Sequence, residues 1–442
     1  MNRLKSMAAA LNAARKEIGP VRISGRVTHV SADSVRVSGL SRFACLGDLV
    51  TLEGARGARR GEVIVLDEDD VVIKPFERTG DIVIGCRAHR TGGLTIHPHE
   101  SWRGRVINAL GRPVDDRGPL VFGPDACLLD KTPPRAMDRN RVEQGVRTGV
   151  RVIDLFTPLC VGQRIGIFAG SGVGKSTLLG MLAGFGAFDT VVVCLVGERG
   201  REVREFIDET LGPALDRSVV VTATGDESAM MRKLAPKTAM SVAEYFRALG
   251  QSVLLIVDSA TRFAHATREV AMAAGEPPVS RGYTPSVFSE LAQLLERAGP
   301  GMKGEGAITA IFSVLVDGDD HNDPVADAMR GQLDGHLVLD RKIAEAGRYP
   351  PVDILRSTSR LSHRAWTPEQ RELILRLRGL ISEYEETKDL RMLGGYQAGG
   401  NAALDKACHL VPRLYEAMRQ TAASSDRGDP FADLARSLSD GG

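Results

Sequence analysis

The spacing of apolar and polar side chains divides the 442-residue chain into four sections. Residues 1–20 place apolar side chains at helical spacing with basic side chains elsewhere, which predicts a short basic amphipathic helix. This helix can pack on the next domain, or it can dock to a partner or to an acidic membrane surface.

Residues 21–90 contain short apolar runs bounded by Gly, Asp, Ser or Pro, namely VRISGRV, SVRVSGL, LVTLEG, GEVIVLD, DVVIKP and DIVIG. Strands this short and closely spaced predict a small β-barrel.

Residues 91–362 begin with a turn-rich connecting segment and continue as alternating strands and helices. Four continuous apolar runs are typical of a parallel sheet covered on both faces: VVVCLVG, SVVVTAT, SVLLIVD and AITAIFSVL. Helical periodicity is found in TLLGMLAGF, VREFIDETL, SVAEYFRALG and SVFSELAQLLERAG. Residues 363–442 are helical and end in a polar tail, which predicts a helical C-terminal domain. The fold class is therefore α/β, with a barrel before the core and helices after it.

Composition and charge argue against several classes of protein function. Lys and Arg total 57 and Asp and Glu total 56, so the broad basic surface of a nucleic-acid binder is not expected. The six cysteines are scattered without a C-x-x-C pair, which favours a reducing compartment. No run approaches the roughly 18 apolar residues of a membrane span, and no secretory leader is evident. These features predict a cytosolic protein.

A phosphate-binding loop is predicted at residues 169–177, AGSGVGKST, between the apolar strand RIGIF and the helix TLLGMLAG. Its glycines allow backbone N–H groups to converge on phosphate oxygens, Lys175 would neutralise the β and γ phosphates, and Ser176 would offer its hydroxyl to Mg²⁺. The motif expects glycine at position 169, where a methyl group is tolerated if the backbone angles stay in an allowed region. A chance glycine-rich loop is the alternative. The predicted ATP-binding positions are Ala169, Gly170, Ser171, Gly172, Val173, Gly174, Lys175, Ser176 and Thr177.

Two further strand ends carry candidate chemistry. Asp258 ends the run SVLLIVD, where a carboxylate can hold a magnesium-bound water, or alternatively cap the next helix. Glu198 and Arg199 follow VVVCLVG. The glutamate is placed to polarise the water that attacks the γ phosphate, and the arginine to orient that glutamate or contact the phosphate. Solvated surface charges are the alternative for both residues.

Ordered sequence blocks across nearly the whole chain carry a family resemblance. They include GRVINALGRPVDDRGPL, TGVRVIDLFTPLCVGQRIGIFAGSGVGKSTLL, VDSATRFAHATREVA, AAGEPPVSRGYTPSVFSELAQLLERAG and LGGYQAGGNAALDKA. The chain resembles the hexameric ATPases related to the catalytic subunit of rotary ATP synthases, and within them the flagellar type III protein-export ATPases. The resemblance implies an N-terminal β-barrel, a RecA-like P-loop core and a helical C-terminal domain.

The resemblance also implies roles for individual residues. The positions that match the family's nucleotide and catalytic residues are Lys175, Ser176, Glu198, Arg199 and Asp258. Arg360, in STSR, matches an arginine that reaches across a subunit boundary toward the neighbour's γ phosphate. Tyr349, in RYPPVD, matches an adenine-stacking aromatic. From the residues alone, a structural salt bridge for Arg360 and core packing for Tyr349 remain open.

By the same resemblance, the protein hydrolyses Mg-ATP to ADP and phosphate as a homohexameric ring and energises the export of flagellar proteins. The implied partners are a stator-like regulator at the N-terminal helix, a central coiled-coil stalk protein, the export gate, and export chaperones with their substrates. The implied location is the cytoplasm, with peripheral association to the inner membrane at the export apparatus.

Three alternatives remain. A virulence injectisome ATPase is the rival within the family, although GDDHNDPVAD favours the flagellar branch. A non-catalytic nucleotide-binding ring subunit would lack the glutamate that Glu198 supplies here. An RNA-dependent helicase would carry exposed aromatics in its N-terminal domain, whereas aromatics are 5% of this chain and none lies between Pro20 and Arg42. No nucleic-acid partner is therefore expected.

Overall fold

The fold is described by a computed structural model for residues 22–77, 79–316, 323–421 and 428–439. The predicted N-terminal helix lies outside these ranges, as do residues 318–322 of GDDHNDPVAD and much of the polar tail. The limits predicted for the four sections, residues 1–20, 21–90, 91–362 and 363–442, stay predictions.

Six antiparallel strands close into the N-terminal barrel in the order β1-β2-β5-β4-β3-β6. Buried apolar and exposed polar side chains alternate in some of its strands. In β2, for example, Val35 and Val37 are fully buried and Arg36 between them is exposed. The barrel predicted from the short apolar runs is confirmed. The strands are β1 (Ser24–Val30), β2 (Val35–Ser38), β3 (Asp48–Gly54), β4 (Gly57–Leu66), β5 (Asp70–Pro75) and β6 (Arg87–Gly93).

The sixth strand does not lie where the apolar run DIVIG predicted it. In that run Val83 is 56% exposed and Ile84 is 69% exposed, and the Cys86 N–H donates to the Val83 carbonyl, so the chain turns there. The strand that closes the barrel is RAHRTGG, in which only Ala88 is fully buried. Backbone pairing with β1 and β3 holds this strand, and such pairing leaves no apolar alternation in the sequence.

A nine-stranded sheet forms the core. Its strands run in the order β19-β18-β12-β17-β15-β13-β14-β8, with β16 paired to β17. All pairings are parallel except those of β16 and β19, as the four continuous apolar runs predicted for β13, β14, β15 and β17. The edge strand β8 lies in the predicted connecting segment. The strands are β8 (Arg105–Asn108), β12 (Arg164–Ala169), β13 (Thr190–Val196), β14 (Ser218–Ala223), β15 (Ser252–Asp258), β16 (Gly299–Pro300), β17 (Ala307–Leu315), β18 (Gly335–Leu339) and β19 (Thr358–Ser359).

Two small antiparallel sheets accompany the core. The first joins β7 (Thr95–Ile96) to β9 (Cys127–Leu128), and the second joins β10 (Gly145–Val146) to β11 (Leu159–Cys160).

The helices cover both faces of the sheet. The first six are α1 (Arg151–Phe156), α2 (Lys175–Gly184), α3 (Gly200–Glu205), α4 (Ala229–Ala248), α5 (Ala260–Ala273) and α6 (Pro285–Arg297). The others are α7 (Pro324–Gln332), α8 (Arg341–Glu345), α9 (Ser362–Ala365), α10 (Pro368–Glu386), α11 (Lys388–Met392), α12 (Ala402–Ala417) and α13 (Pro430–Ser439). One apolar core unites α4 to α7 with the sheet, and a second unites α1 to α3 with α10, α12 and α13. The run VREFIDETL is α-helical only at its start, because a π-helix continues α3 over Phe206–Leu211. Among the described helices, none has the length and apolar character to cross a membrane.

A buried ion pair joins α4 to α6. Arg297 is 3% exposed and Glu244 is 6% exposed. Two hydrogen bonds link them, from Arg297 Nε at 2.9 Å and from Nη2 at 3.0 Å. The guanidinium also donates to the Leu129 carbonyl at 2.6 Å, so it ties the connecting segment to both helices.

Arg297→Met is expected to lower the free energy of unfolding by about 3–5 kcal/mol, because the buried Glu244 carboxylate loses two hydrogen bonds and keeps the largely exposed Lys131 at 4.0 Å. Denaturant unfolding followed by circular dichroism measures the change. Arg201→Met is the matched control, since the Arg201 side chain is 79% exposed and forms an ion pair with Glu205 on its own helix. Its expected cost is below about 1 kcal/mol. Equal costs for the two variants would contradict this role for Arg297.

Candidate nucleotide site

The loop between β12 and α2 has the backbone of a phosphate cradle. Gly172 and Gly174 have φ of +75° and +93°, in the left-handed region that favours glycine. Gly174 is the N-cap of α2, so the unpaired N–H groups of the first helical turn face the loop. Val173 is 2% exposed and anchors the loop to the apolar core. Ser176 and Thr177 are exposed on the first turn.

Ala169 causes no distortion in this loop. It is the last residue of β12, 1% exposed, and it pairs with Leu315 on one side and Leu339 on the other. Among the described residues, positive φ at a non-glycine position occurs at Asp116 and Arg281 only. Position 169 therefore does not need the backbone freedom of glycine.

Lys175 lies between two carboxylates that come from neighbouring strands. Its Nζ contacts Asp258 Oδ1 and lies 3.9 Å from Glu198 Oε1. Asp258, at the end of β15, is 3% exposed and accepts a hydrogen bond of 2.6 Å from Ser313 Oγ on the adjacent strand β17. The structure thus brings together three of the predicted site residues.

The Glu198 carboxyl has an unusual proton affinity. Burial is the main cause that raises the pKa of Glu198, to about 7. The Lys175 charge lowers this pKa, and the Asp258 charge raises it further. Arg262 Nη2 lies 3.3 Å from Glu198 Oε2 and also lowers the pKa. A hydrogen bond from Glu198 is the main reason that the pKa of Glu202 is lowered. Glu198 therefore changes charge near neutral pH, as a general base requires.

Arg199 is not part of this cluster. Its side chain is 83% exposed and lies 3.6 Å from Glu202, one turn further along α3. A catalytic role for Arg199 stays a prediction.

Tyr349 lies against the loop. A β-carbon at Gly174 would be 3.6 Å from Cε1 of the Tyr349 ring. The side chain is 46% exposed, so it is not a core residue. An exposed ring beside a phosphate loop is suited to stacking on a base.

Arg360 lies at the other end of the sheet. Its backbone N–H donates to the Asp334 carbonyl at 2.8 Å, and the Asp334 N–H donates to the carbonyl of Arg164, the first residue of β12. The loop follows Ala169, the last residue of that strand, and a strand of this length spans roughly 17 Å. That is farther than an arginine side chain extends. Arg360 therefore cannot act at the loop of its own chain.

Sequence reasoning missed two charged or polar neighbours of the site. Arg262 lies in the first turn of α5, four residues after Asp258, and helical spacing in VDSATRF could have indicated it. Ser313 lies within an apolar strand, and no local signal shows that β17 is the neighbour of β15.

The donor set fits a magnesium ion that arrives with a nucleotide. The Ser176 hydroxyl and the Asp258 carboxylate are hard oxygen donors. Within the described ranges no three His, Cys, Asp or Glu side chains cluster to hold a metal. Mg²⁺ bound to a nucleotide needs few protein ligands, because phosphates and water supply the others.

A cavity of about 930 Å³ lies away from this site, between the core and the C-terminal helices. Its lining includes Arg348, Tyr384, Arg391 and Tyr415 and none of residues 169–177.

Family profiles match most of the chain behind the barrel. The profile "ATP synthase alpha/beta family, nucleotide-binding domain" matches residues 149–359. The profile "T3SS EscN ATPase C-terminal domain" matches residues 366–439.

Relatives with established names resemble the chain over nearly its whole length. The "Flagellum-specific ATP synthase" of Rhizobium meliloti is 57% identical over 94% of this chain and 89% of its own length. The protein of the same name from Agrobacterium fabrum is 55% identical over 94% and 88%. The "Type 3 secretion system ATPase" of Xanthomonas euvesicatoria is 40% identical over 94% of both chains.

Solved structures share the architecture. The assembled ATPase EscN of the enteropathogenic E. coli type III secretion system superimposes with a TM-score of 0.87 at 37% identity, covering 94% of this chain and all of EscN. EscN in complex with its central stalk EscO gives a TM-score of 0.86 at 37% identity over the same shares.

Proposed function

This chain belongs to the ATP synthase alpha/beta family, within its type III export ATPases, and we propose that it hydrolyses Mg-ATP in a homohexameric ring to energise flagellar protein export. The observation that carries the chemistry is Lys175 between Asp258 and Glu198 behind a glycine loop. Identities of 57% and 55% to flagellum-specific relatives, against 40% to the secretion-system relative, favour the flagellar branch over the injectisome.

Each residue of the site has a separate role in the proposed reaction. The loop N–H groups and Lys175 bind the β and γ phosphates, and Tyr349 stacks on the adenine. Glu198 accepts the proton of the attacking water. Ser176 and Asp258 would hold Mg²⁺, which neutralises phosphate charge when bound.

Arg360 would stabilise the transferring phosphoryl group at the site of the neighbouring subunit. Its separation from its own loop by the length of β12 supports this assignment. The site would then be complete only in an assembly.

The proposed assembly follows from the relatives. EscN is known in an assembled form and with a central stalk, and we extend a ring and a coiled-coil stalk partner to this chain. A stator-like regulator at the N-terminal segment, the export gate, and chaperones with their substrates complete the proposed partners. Action in the cytoplasm with peripheral membrane association is part of the same proposal.

Phosphate release from Mg-ATP, measured across a range of protein concentrations, tests this function. Turnover per chain is expected to rise with concentration and to level off as rings form, in parallel with sedimentation of the assembled species. ATP binding without turnover in assembled protein would instead support a non-catalytic ring subunit. Strong stimulation by RNA that collapses with added salt would support a nucleic-acid motor.

The pH dependence of hydrolysis tests the role of Glu198. Below its pKa of about 7 the carboxyl is protonated and cannot accept a proton, so kcat/KM is expected to rise with pH through that value. Because the Arg262 charge lowers this pKa, Arg262→Gln should move the rising limb to higher pH. Glu205→Gln, at an exposed position on α3, should leave the limb in place. A limb that Arg262→Gln does not move would argue against Glu198 as its source.

A further inference from the structure

We propose that Arg330 positions Arg360 and couples it to the phosphate loop of the same subunit. This inference rests on the proposed function, in which Arg360 acts at the site of the neighbouring subunit.

The Arg360 guanidinium is held by the end of α7. Its Nη2 donates to the carbonyl of Arg330 at 3.2 Å. Arg330 lies in the last turn of α7, where helix carbonyls lack partners within the helix and the helix dipole favours a cation. The direction of the Arg360 side chain therefore depends on where this helix end lies.

The Arg330 side chain fixes that helix end to the strand of the phosphate loop. Its guanidinium lies over the ring of Phe168, 4.8 Å from the ring centroid. Phe168 is fully buried in β12 and immediately precedes Ala169. A cation over an aromatic face is an attractive contact that is lost when the charge or the ring moves. One side chain thus links the loop strand to the helix end that holds Arg360.

A second contact from β18 supports the same ring. His336 packs edge-on against Phe168, with centroids 5.7 Å apart, and its Nε2 lies 3.0 Å from the Arg356 carbonyl. Arg356 and Arg360 flank β19, which pairs with β18. Both supports of the Arg360 segment therefore converge on Phe168.

β17 ends beside the phosphate loop, and α7 ends beside Arg360. The Val316 N–H, just after β17, donates to the Ala169 carbonyl at 3.1 Å. The nine residues of α7 span about 13 Å, and the Arg330 carbonyl in the last turn of this helix contacts Arg360. A shift of the loop strand on nucleotide binding would move Phe168, and with it Arg330 and the arginine offered to the next subunit.

Mixed rings separate this role from a merely structural one. Lys175→Ala chains keep Arg360 but lack a working loop, and Arg360→Ala chains keep the loop but lack the arginine. In a mixed ring, turnover is expected at each subunit boundary where an Arg360→Ala chain supplies the loop and a Lys175→Ala chain supplies Arg360. Adding Arg330→Ala to the Lys175→Ala chain should reduce this regained kcat by about tenfold without changing KM. The same change in the Arg360→Ala chain should leave the regained kcat within about twofold.

The outcomes are distinguishable. If the two parent chains do not complement, the proposed action of Arg360 on its neighbour fails, and this inference fails with it. If they complement but Arg330→Ala acts equally in either chain, or prevents ring assembly in both, only the positioning role is overturned. Arg330→Lys, which keeps the cation over Phe168, should recover part of the lost kcat; a complete failure to do so would also overturn it.

Discussion

Glu198→Gln is expected to reduce the kcat of ATP hydrolysis by about 10²–10⁴-fold, while the Kd for ATP changes little. The amide has nearly the shape of the carboxylate, but it cannot accept the proton of the attacking water. Lys175 would keep its contact with Asp258, so phosphate binding should persist. Single-turnover phosphate release and titration with a fluorescent ATP analogue measure the two quantities.

The control for this variant is Glu205→Gln on α3, which also removes one negative charge but at an exposed position paired with Arg201. It should retain the parent kcat within about twofold. Full turnover in Glu198→Gln would remove Glu198 from the mechanism as the general base.

Arg360→Ala is expected to lower kcat by about 10³–10⁵-fold in assembled rings, because an arginine that meets the γ phosphate acts mainly in the transition state. The residual rate should no longer rise with protein concentration, since assembly then adds nothing to the chemistry. Phosphate release at several concentrations, with sedimentation to confirm the ring, measures both effects.

Arg356→Ala is the matched control, an exposed arginine four residues earlier whose Nη1 lies 3.9 Å from Asp340. It should change kcat far less than Arg360→Ala does. A wild-type rate independent of concentration, together with an unaltered rate in Arg360→Ala, would show that each chain hydrolyses ATP alone.

The parallel sheet could be predicted because strands buried on both faces contain apolar residues without alternation. All seven residues of β13 are buried, and its sequence TVVVCLV shows this directly. The closing strand of the barrel could not be predicted in the same way, because RAHRTGG is held by backbone pairing and places only Ala88 in the interior.

The site residues that lie at or just after strand ends could be predicted from the sequence. Glu198 and Asp258 come directly after or at the end of apolar strands, and both lie within ion-pair distance of Lys175. Ser313 escaped prediction because its contact with Asp258 depends on β17 lying next to β15, although α5 and α6 separate these strands in the sequence. The distance of Arg360 from its own loop likewise depends on the sheet order, which local patterns do not contain.

Ala169 has a practical consequence for finding such proteins in genomes. The first position of the loop is a buried strand end without a positive φ, whereas Gly174 has a φ of +93°, a backbone conformation that favours glycine. A search pattern that treats these two positions as equally invariant discards working enzymes. A pattern that allows either small residue at the first position and insists on glycine before the lysine would retain them.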